Sequence, residues 1–169
     1  FFFPILTKPK KSFICVTQAF PEDFRHSFML CTLVETMEII LRHLTMADAE
    51  VYLKAHDEDA AKFFSSHPTT LEEAKEEIQE ALDAYDVPKE KRTKETFAIE
   101  MGGVFAGFIA IHHIVQGKEG TTGSLVAPEF RGKGVGTQAH KLLLEYAFKT
   151  YKLKKIYGRV KPANIASQK

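Results

Sequence analysis

Tryptophan is absent from this 169-residue chain, and cysteine is scarce. The two cysteines, Cys15 and Cys31, are too few for a disulfide framework and lack the spacing of metal ligands. No apolar run approaches the roughly 20 residues that a membrane-spanning helix needs. The opening FFFPILTKPKK places an apolar patch before a basic cluster, the reverse of a secretory signal peptide. These absences argue against secreted, membrane and metal-binding classes, so we expect a cytoplasmic protein without a metal.

The net charge is only +1, but two parts of the chain carry charge of mainly one sign. Residues 47–90 contain 13 acidic residues against 4 lysines, whereas residues 131–169 contain 10 lysines and arginines against one acid, Glu145. Two solvated helix faces of opposite sign would explain this pattern. An anion-binding half beside an acidic half that attracts cations would explain it equally.

Residues 1–36 differ from the rest of the chain. They hold 7 of the 14 phenylalanines and show no sustained helix or strand periodicity. Met37 begins a clean strand-then-helix pattern. The sequence therefore predicts an N-terminal extension at 1–36, either foreign to the functional protein or a genuine arm packed on it, and one domain at 37–169.

Hydrophobic spacing in the domain predicts an α+β protein with three α/β/α layers. Thr70 and Glu73 form a capping box that opens a helix, Gly102-Gly103 is a hairpin turn, and residues 86–95 are predicted to be a mobile loop. Pro162 opens a further turn and helix. The predicted strands cover 38–44, 96–101, 104–115, 121–126 and 155–160, and the predicted helices cover 46–56, 58–64, 71–85 and 134–151.

The densest glycine cluster, RGKGVGT at 131–137, lies between a predicted strand and a predicted helix. The N-terminus of a helix binds anions through its unpaired N–H groups and its dipole, and glycine lets a phosphate approach closely. The P-loop spacing fails because Gly134 follows Lys133, and the dinucleotide spacing fails because the glycines read G-x-G-x-G. A turn that only packs the helix on the strand is the simpler alternative.

The spacing Arg131-x-x-Gly134-x-Gly136 resembles the Q/R-x-x-G-x-G/A signature of the GNAT superfamily, the acyl-CoA-dependent N-acyltransferases. Three further stretches resemble the branch that acetylates ribosomal-protein N-termini: LRHLT with DA at 41–49, SLVAPEFRGKG at 124–134 and NIAS at 164–167. The resemblance covers about residue 39 to the end of the chain. It implies a GNAT fold with a mixed, mostly antiparallel sheet that splays between its fourth and fifth strands.

The resemblance also implies acetyl-CoA as co-substrate, with no metal. The backbone of Leu125 and Val126 would pair with the pantetheine arm, and an N–H there, assigned to Val126, would polarise the thioester carbonyl. Asn164 and Ser167 would contact CoA from the far side. The pyrophosphate would lie on the glycine loop, whose predicted binding residues are Arg131, Gly132, Lys133, Gly134, Val135, Gly136 and Thr137.

Acetyl transfer to an amine needs a base, because a protonated amine has no lone pair. The predicted candidates are His112 and His113 on the third strand and Glu100 on the second. Neighbouring side chains on a strand point to opposite faces, so we expect only one of the two histidines to face the cleft. The general acid usual in the family follows N-x-A-S, beyond Lys169, as do the last strands, so we expect a C-terminally truncated domain.

We therefore expect an N-acetyltransferase that moves an acetyl group from acetyl-CoA to a primary amine by direct attack on the thioester. The acceptor is a small molecule or a protein N-terminus, and the acidic segment at 47–90 would suit a cationic one, such as a polyamine or a basic peptide. The alternatives are a non-catalytic acyl-CoA-binding module or inactive fragment, and a protein that binds ATP or a dinucleotide. No nucleic acid or membrane partner is expected, and the assembly is left open between a monomer and a homodimer.

Overall fold

The computed structural model describes residues 38–64 and 67–168, so the predicted extension at 1–36 lies outside the described residues. Its five strands form one sheet in chain order, and neighbouring strands are antiparallel except for the last two, which are parallel. The predicted α+β class with a mixed, mostly antiparallel sheet is confirmed. The strands are β1 (Ile39–His43), β2 (Glu95–Met101), β3 (Val104–Val115), β4 (Glu119–Val126) and β5 (Lys155–Gly158).

Helices cover both faces of the sheet: α1 (Ala49–Ala55), α2 (Glu58–Ala61) and α3 (Leu71–Asp86) lie on one face, and α4 (Val135–Tyr151) lies on the other. Each face buries its own apolar cluster, so the three predicted layers are confirmed. The α4 side joins Ile99, Ile109 and Ile111 of the sheet to Val135, Ala139, Leu143 and Ala147. The α1–α3 side joins Ala98, Phe108 and Leu125 to Tyr52, Ala60, Ala74 and Ile78.

Local signals at the ends of elements form as predicted. Glu73 N–H donates to Thr70 Oγ1 at 3.2 Å, and Glu73 Oε2 accepts from the N–H of Thr70 at 3.3 Å. This reciprocal pair is a capping box, and it satisfies backbone groups that the first turn of α3 leaves without partners. Gly102 and Gly103 have φ values of +60° and +83°, as a two-residue hairpin between β2 and β3 requires.

Two strands differ in length from the prediction because they pair with each other. β4 begins at Glu119 rather than residue 121, since Glu119 lies opposite Lys155 in the parallel ladder. β5 ends at Gly158 rather than residue 160, since the ladder ends there. The predicted helix after Pro162 is a single 3-10 turn at Ile165–Gln168.

The predicted mobile loop at 86–95 is anchored by a buried charged network that the sequence analysis missed. Glu95, the first residue of β2, has no exposed surface. Its carboxylate is paired with Arg92 and accepts hydrogen bonds from the hydroxyls of Tyr151 and, at 2.9 Å, Tyr146. Arg92 also donates to the carbonyl of Val87, just after α3, at 2.8 Å. A buried charge needs such partners, and here they join α3 to α4 through the start of β2.

Gly107 allows β3 and β4 to approach closely. Its φ is +144°, a conformation that residues with side chains rarely adopt. A Cβ atom at this position would lie 2.1 Å from the carbonyl oxygen of Leu125 and 2.9 Å from the Cα of Val126. Only glycine therefore holds the end of β4 in its place against β3.

We expect Gly107→Ala to lower the free energy of unfolding by about 3 kcal/mol, because backbone strain and overpacking add at this position. Urea unfolding of the purified variant measures this loss. Gly123→Ala on β4 is the matched control, since a Cβ there meets nothing within 4 Å. We expect the control to differ from the unchanged chain by less than about 1 kcal/mol. Equal stability of the two variants would contradict the close approach.

Candidate active site

β4 and β5 separate halfway along β4. Their parallel ladder runs from Glu119 opposite Lys155 to Thr122 opposite Gly158, and β4 continues alone to Val126. β3 remains paired with β4 as far as Val126. Within residues 38–64 and 67–168, no strand pairs with the β5 side of residues 123–126. The predicted splay is confirmed, and it leaves a gap along the second half of β4.

The backbone groups of Ser124 and Val126 face this gap. The N–H of Ala127 donates to a β3 carbonyl at 2.9 Å, and the carbonyl of Leu125 lies against Gly107 of β3. Successive peptide groups of a strand point in opposite directions, so Leu125 is directed at β3 and its two neighbours at the gap. Ser124, which the sequence analysis did not single out, therefore takes the backbone position that was predicted for Leu125.

The glycine loop leads from this gap to the N-terminus of α4. Gly132 and Gly134 have φ values of +73° and +78°, and a Cβ on either would meet nothing within 4 Å. Gly134 is the N-cap of α4 and has no side chain to cap the helix. The first bond of the helix runs from Gln138 N–H to Gly134 O at 3.1 Å, so the three preceding N–H groups, at 135–137, have no partner within the helix. Such N–H groups suit an anion, and anion binding by this loop stays a prediction.

Arg131 forms an ion pair that the sequence analysis did not predict. Its Nη1 and Nη2 each donate to a carboxylate oxygen of Asp57 at 2.8 Å, and its Nε donates to the carbonyl of Val126 at 3.0 Å. The hydrogen bonds between the two side chains raise the pKa of Arg131 and lower that of Asp57. Asp57 is also the N-cap of α2 and accepts from Ala60 N–H at 2.9 Å. Arg131 therefore ties the glycine loop to α2, and Asp57 balances the charge predicted to face a phosphate.

Three other residues predicted to contact CoA are Lys133, Asn164 and Ser167. Lys133 is exposed, and its Nζ lies 5.8 Å from the ring centroid of Phe130, within reach of a cation–π interaction. Asn164 Oδ1 accepts from the N–H of Ser167 at 3.1 Å and so supports the last turn of the described chain. The contacts of these residues with CoA remain predictions.

Glu100 on β2 is held by an arginine. Arg42 of β1 donates from Nε to Glu100 Oε2 at 2.7 Å, and its two Nη atoms each donate to Asp48 at 2.8 Å. The contact with Arg42 holds the Glu100 carboxylate against β1. β3 also separates Glu100 from β4. The pairing and the position both favour a structural role over the predicted catalytic one.

His112 and His113 lie closer together than the alternation of a strand allows. Their ring centroids are 6.4 Å apart, because the pairing of β3 with β4 is irregular after His112 and His113 has a φ of +50°. His113 Nδ1 is 3.0 Å from the hydroxyl of Thr121, the cross-strand partner of His112. The strand alternation behind the expectation that only one histidine faces the cleft is therefore broken at His113, and the expectation itself stays a prediction. Burial lowers the pKa of His112.

Both histidines lie beside the part of β4 that still pairs with β5, since Thr121 is opposite Tyr157 in that ladder. Their place is therefore just before the gap opens, and their role as base remains a prediction. Across the described ranges, no group of three or more His, Cys, Asp or Glu side chains is placed to hold a metal ion. No helix in that part of the chain is long and apolar enough to cross a membrane.

Two surface depressions lie along α3, and neither is lined by residues of the glycine loop. The larger has a volume of about 350 Å³ and reaches Arg92 and Lys94. The smaller has a volume of about 240 Å³ and carries most of the acidic charge of α3. It is lined by His67, Pro68, Thr69, Glu73, Glu76, Glu77 and Glu80.

A mixed sheet that opens beside a glycine-rich helix N-terminus is the architecture of the acyl-CoA N-acyltransferases. A family model for the acetyltransferase (GNAT) domain matches residues 38–169, and the chain belongs to this family. The reaction of the family is acetyl-CoA-dependent acetylation of amines. The resemblance inferred from the sequence is confirmed.

The chain is similar to spermidine N(1)-acetyltransferase of Escherichia coli (strain K12), with 33% identity over 90 residues that cover 52% of this chain and 47% of that protein. The chain thus spans about half the length of the curated relatives it matches. Two solved structures share the fold. RimL, a ribosomal L7/L12 alpha-N-protein acetyltransferase in complex with coenzyme A, has a TM-score of 0.68 at 16% identity and covers 80% of this chain and 77% of its own. RimJ of Mycobacterium smegmatis in complex with CoA-disulfide has a TM-score of 0.65 at 20% identity, and the match covers 77% of this chain and 66% of the RimJ chain.

We expect Asp57→Asn to lower the free energy of unfolding at pH 7 by about 0.5–1 kcal/mol, because the ion pair with Arg131 is partly exposed. Asparagine is also a good N-cap, so the start of α2 is retained. The ion pair lowers the pKa of Asp57. Its contribution to stability is therefore fully present at pH values above the ordinary pKa of aspartate, and it is lost as the pH falls through the lower pKa of Asp57 in the folded protein. Urea unfolding at pH 7 and pH 3 should show the difference shrinking at pH 3.

Glu58→Gln is the control for that change, since Glu58 is the next residue and is exposed. We expect it to change stability by less than about 0.5 kcal/mol at either pH. If Asp57→Asn lowers the free energy of unfolding by the same amount at pH 7 and pH 3, the ion pair is not the cause of the loss.

Proposed function

We propose that this chain binds acetyl-CoA and transfers its acetyl group to a primary amine. The observation that carries this proposal is the continuity of the gap along β4 with the N-terminus of α4. The gap offers peptide groups of Ser124 and Val126, which suit the amides of a pantetheine arm. The loop that follows offers N–H groups, which suit a pyrophosphate. A single strand–loop–helix unit thus presents partners for both parts of CoA.

The pyrophosphate would bind the N–H groups of Gly132, Gly134, Gly136 and Thr137. Gly132 and Gly134 support this, because nothing fills the space where their side chains would be. The dipole of α4 contributes about half a positive charge at this point, and exposed Lys133 adds a full charge. Arg131 would act mainly by position, because its guanidinium is bound to Asp57 and to the carbonyl of Val126.

The thioester carbonyl would lie where the gap opens, beside the peptide groups of Ser124 and Val126. The carbonyl of Val126 is occupied by Arg131, whereas its N–H is directed at the gap. When an amine attacks the thioester carbon, negative charge develops on the carbonyl oxygen, and a fixed N–H donor lowers the energy of that state. We assign this donor to Val126.

For the acceptor we propose a cationic amine of the polyamine class. The glutamates of the smaller depression give the α3 side of the domain a negative field that attracts cations. The similarity to spermidine N(1)-acetyltransferase supports this choice over a protein N-terminus. The test incubates the purified chain with acetyl-CoA and either spermidine, lysine or a peptide with a free N-terminus, and measures the thiol released.

Spermidine should give the fastest thiol release in this panel. A preference for the peptide would reassign the acceptor class. Binding of CoA without turnover of any amine would identify a non-catalytic acyl-CoA-binding module. Thermal stabilisation by ATP or NAD, and none by CoA, would overturn the donor site itself.

We expect Gly134→Asp to weaken CoA binding at least 30-fold, which corresponds to about 2 kcal/mol of charge repulsion close to the pyrophosphate. Asp tolerates the left-handed conformation of this position and has space there, so the fold should persist. Gly134→Asn is the matched control with the same shape and no charge, and should weaken binding no more than about threefold. Isothermal titration calorimetry with CoA measures both. Equal affinities for the two variants would argue against a pyrophosphate at the start of α4.

A further inference from the structure

His56 is the C-cap residue directly after α1, on the face of the sheet that α1, α2 and α3 cover. Its ring is stacked on Phe108 of β3, with centroids 5.4 Å apart, and Phe108 is the cross-strand partner of Leu125. The next residue, Asp57, binds Arg131 of the glycine loop. The contact of His56 with the sheet and the contact of its neighbour Asp57 with the glycine loop both place His56 beside the second half of β4.

Nδ1 of His56 is held by a hydrogen bond, and Nε2 has no partner in the part of the chain that the structure describes. Nδ1 lies 2.9 Å from the carbonyl oxygen of Tyr52, which only accepts hydrogen bonds, so Nδ1 carries the proton of the neutral ring. Nε2 then carries the lone pair. It forms no hydrogen bond with residues 38–64 or 67–168, and no fully buried side-chain nitrogen in those ranges lacks a partner. Among these residues, Nε2 is therefore a proton acceptor without a hydrogen-bond donor.

The surroundings of His56 keep it neutral. Burial is the main cause of its lowered pKa, and nearby His67, with ring centroids 6.5 Å apart, lowers it further. The Tyr52 carbonyl, Glu77 of α3 and Asp57 act in the opposite direction. Phe64 and Phe108 complete the packing around the ring. An imidazole with this balance is uncharged at pH 7 and free to take a proton.

We propose that His56 is the general base of acetyl transfer, with Nε2 accepting a proton from the ammonium group of the acceptor. This proposal rests on the acetyl transfer proposed above. The neutral amine then forms a bond to the thioester carbon, and the carbon–sulfur bond breaks with its electron pair leaving on sulfur. The second amine proton ends on that sulfur as the CoA thiol, and His56 returns its proton to water.

The placement of His56 separates it from the bases predicted from the sequence. Glu100 is bound to Arg42, and His112 lies opposite Thr121, where β4 and β5 are still joined. His56 is beside the open half of β4. It also adjoins the acidic surface of α3, because Tyr52 below it donates its hydroxyl to Glu77 at 2.9 Å. A cationic amine drawn to those glutamates would approach the thioester past His56.

The test is His56→Asn. The side-chain amide of asparagine takes the place of Nδ1 and donates to the Tyr52 carbonyl, so the substitution removes Nε2 and preserves the hydrogen bond. We expect kcat with spermidine at pH 7 to fall about 100-fold, as for the loss of a general base. The KM for acetyl-CoA and the affinity for CoA should stay within about twofold, because the donor site is intact.

His43→Asn is the matched control. His43 is on β1, three strands from β4, and burial lowers its pKa as it does for His56. The kcat of His43→Asn with spermidine should equal that of the unchanged chain. The pH profile adds a readout that a structural role would not move. The unchanged chain should lose kcat/KM as pH falls through a pKa below 6.5, and His56→Asn should lack this limb and regain activity with added imidazole.

Labelling of the unchanged chain with diethyl pyrocarbonate provides a second test that does not depend on the folding of a variant. Mass spectrometry locates the modified residues, and activity should be lost in parallel with modification of His56. Added spermidine should slow both the modification of His56 and the loss of activity. Activity that survives full modification of His56, or an unchanged rate in His56→Asn, would overturn the base assignment. An unchanged chain that binds no CoA would instead overturn the proposed function, so the two failures are distinguishable.

Discussion

The structure depends on β4 keeping one neighbour and losing the other. β3 holds β4 along its whole second half, through a close approach that only Gly107 permits. β5 pairs with β4 only as far as Thr122 and then leaves. Peptide groups in a sheet interior are normally satisfied by both neighbouring strands. In the described part of the chain, the loss of one neighbour leaves the second half of β4 without a strand partner on one edge, just before the loop that leads to the N-terminus of α4.

Three arginines connect separate elements of the fold. Arg42 joins β1 to β2, Arg92 joins the end of α3 to β2, and Arg131 joins the glycine loop to α2. The ion pair of Arg92 is buried, so loss of either partner would leave an uncompensated charge in the core. The pair of Arg131 is partly exposed and contributes mainly geometry. Of the two charged side chains in the glycine loop, Arg131 is thus bound to the protein itself, whereas Lys133 is exposed.

Sequence patterns predicted the elements well where local forces decide them. The helical spacing of α3 and α4, the capping box at Thr70 and the Gly102-Gly103 hairpin formed as expected, because each depends on residues within one turn. Prediction failed where distant partners decide. The bulge at His113 breaks the strand alternation, and Glu95 was assigned to a loop although Arg92 and two tyrosines hold it in the core.

The sequence by itself determined the class of fold and the place of the glycine loop, since hydrophobic periodicity and glycine spacing are local properties of the chain. The tertiary structure alone decided which peptide groups face the gap, because the direction of Ser124 and Leu125 follows from the register of β4 against β3. It also decided that Asp57 meets Arg131 and that His56 stacks on Phe108. These pairs are far apart in sequence, and only the folding of α1 and α2 onto the sheet brings them together.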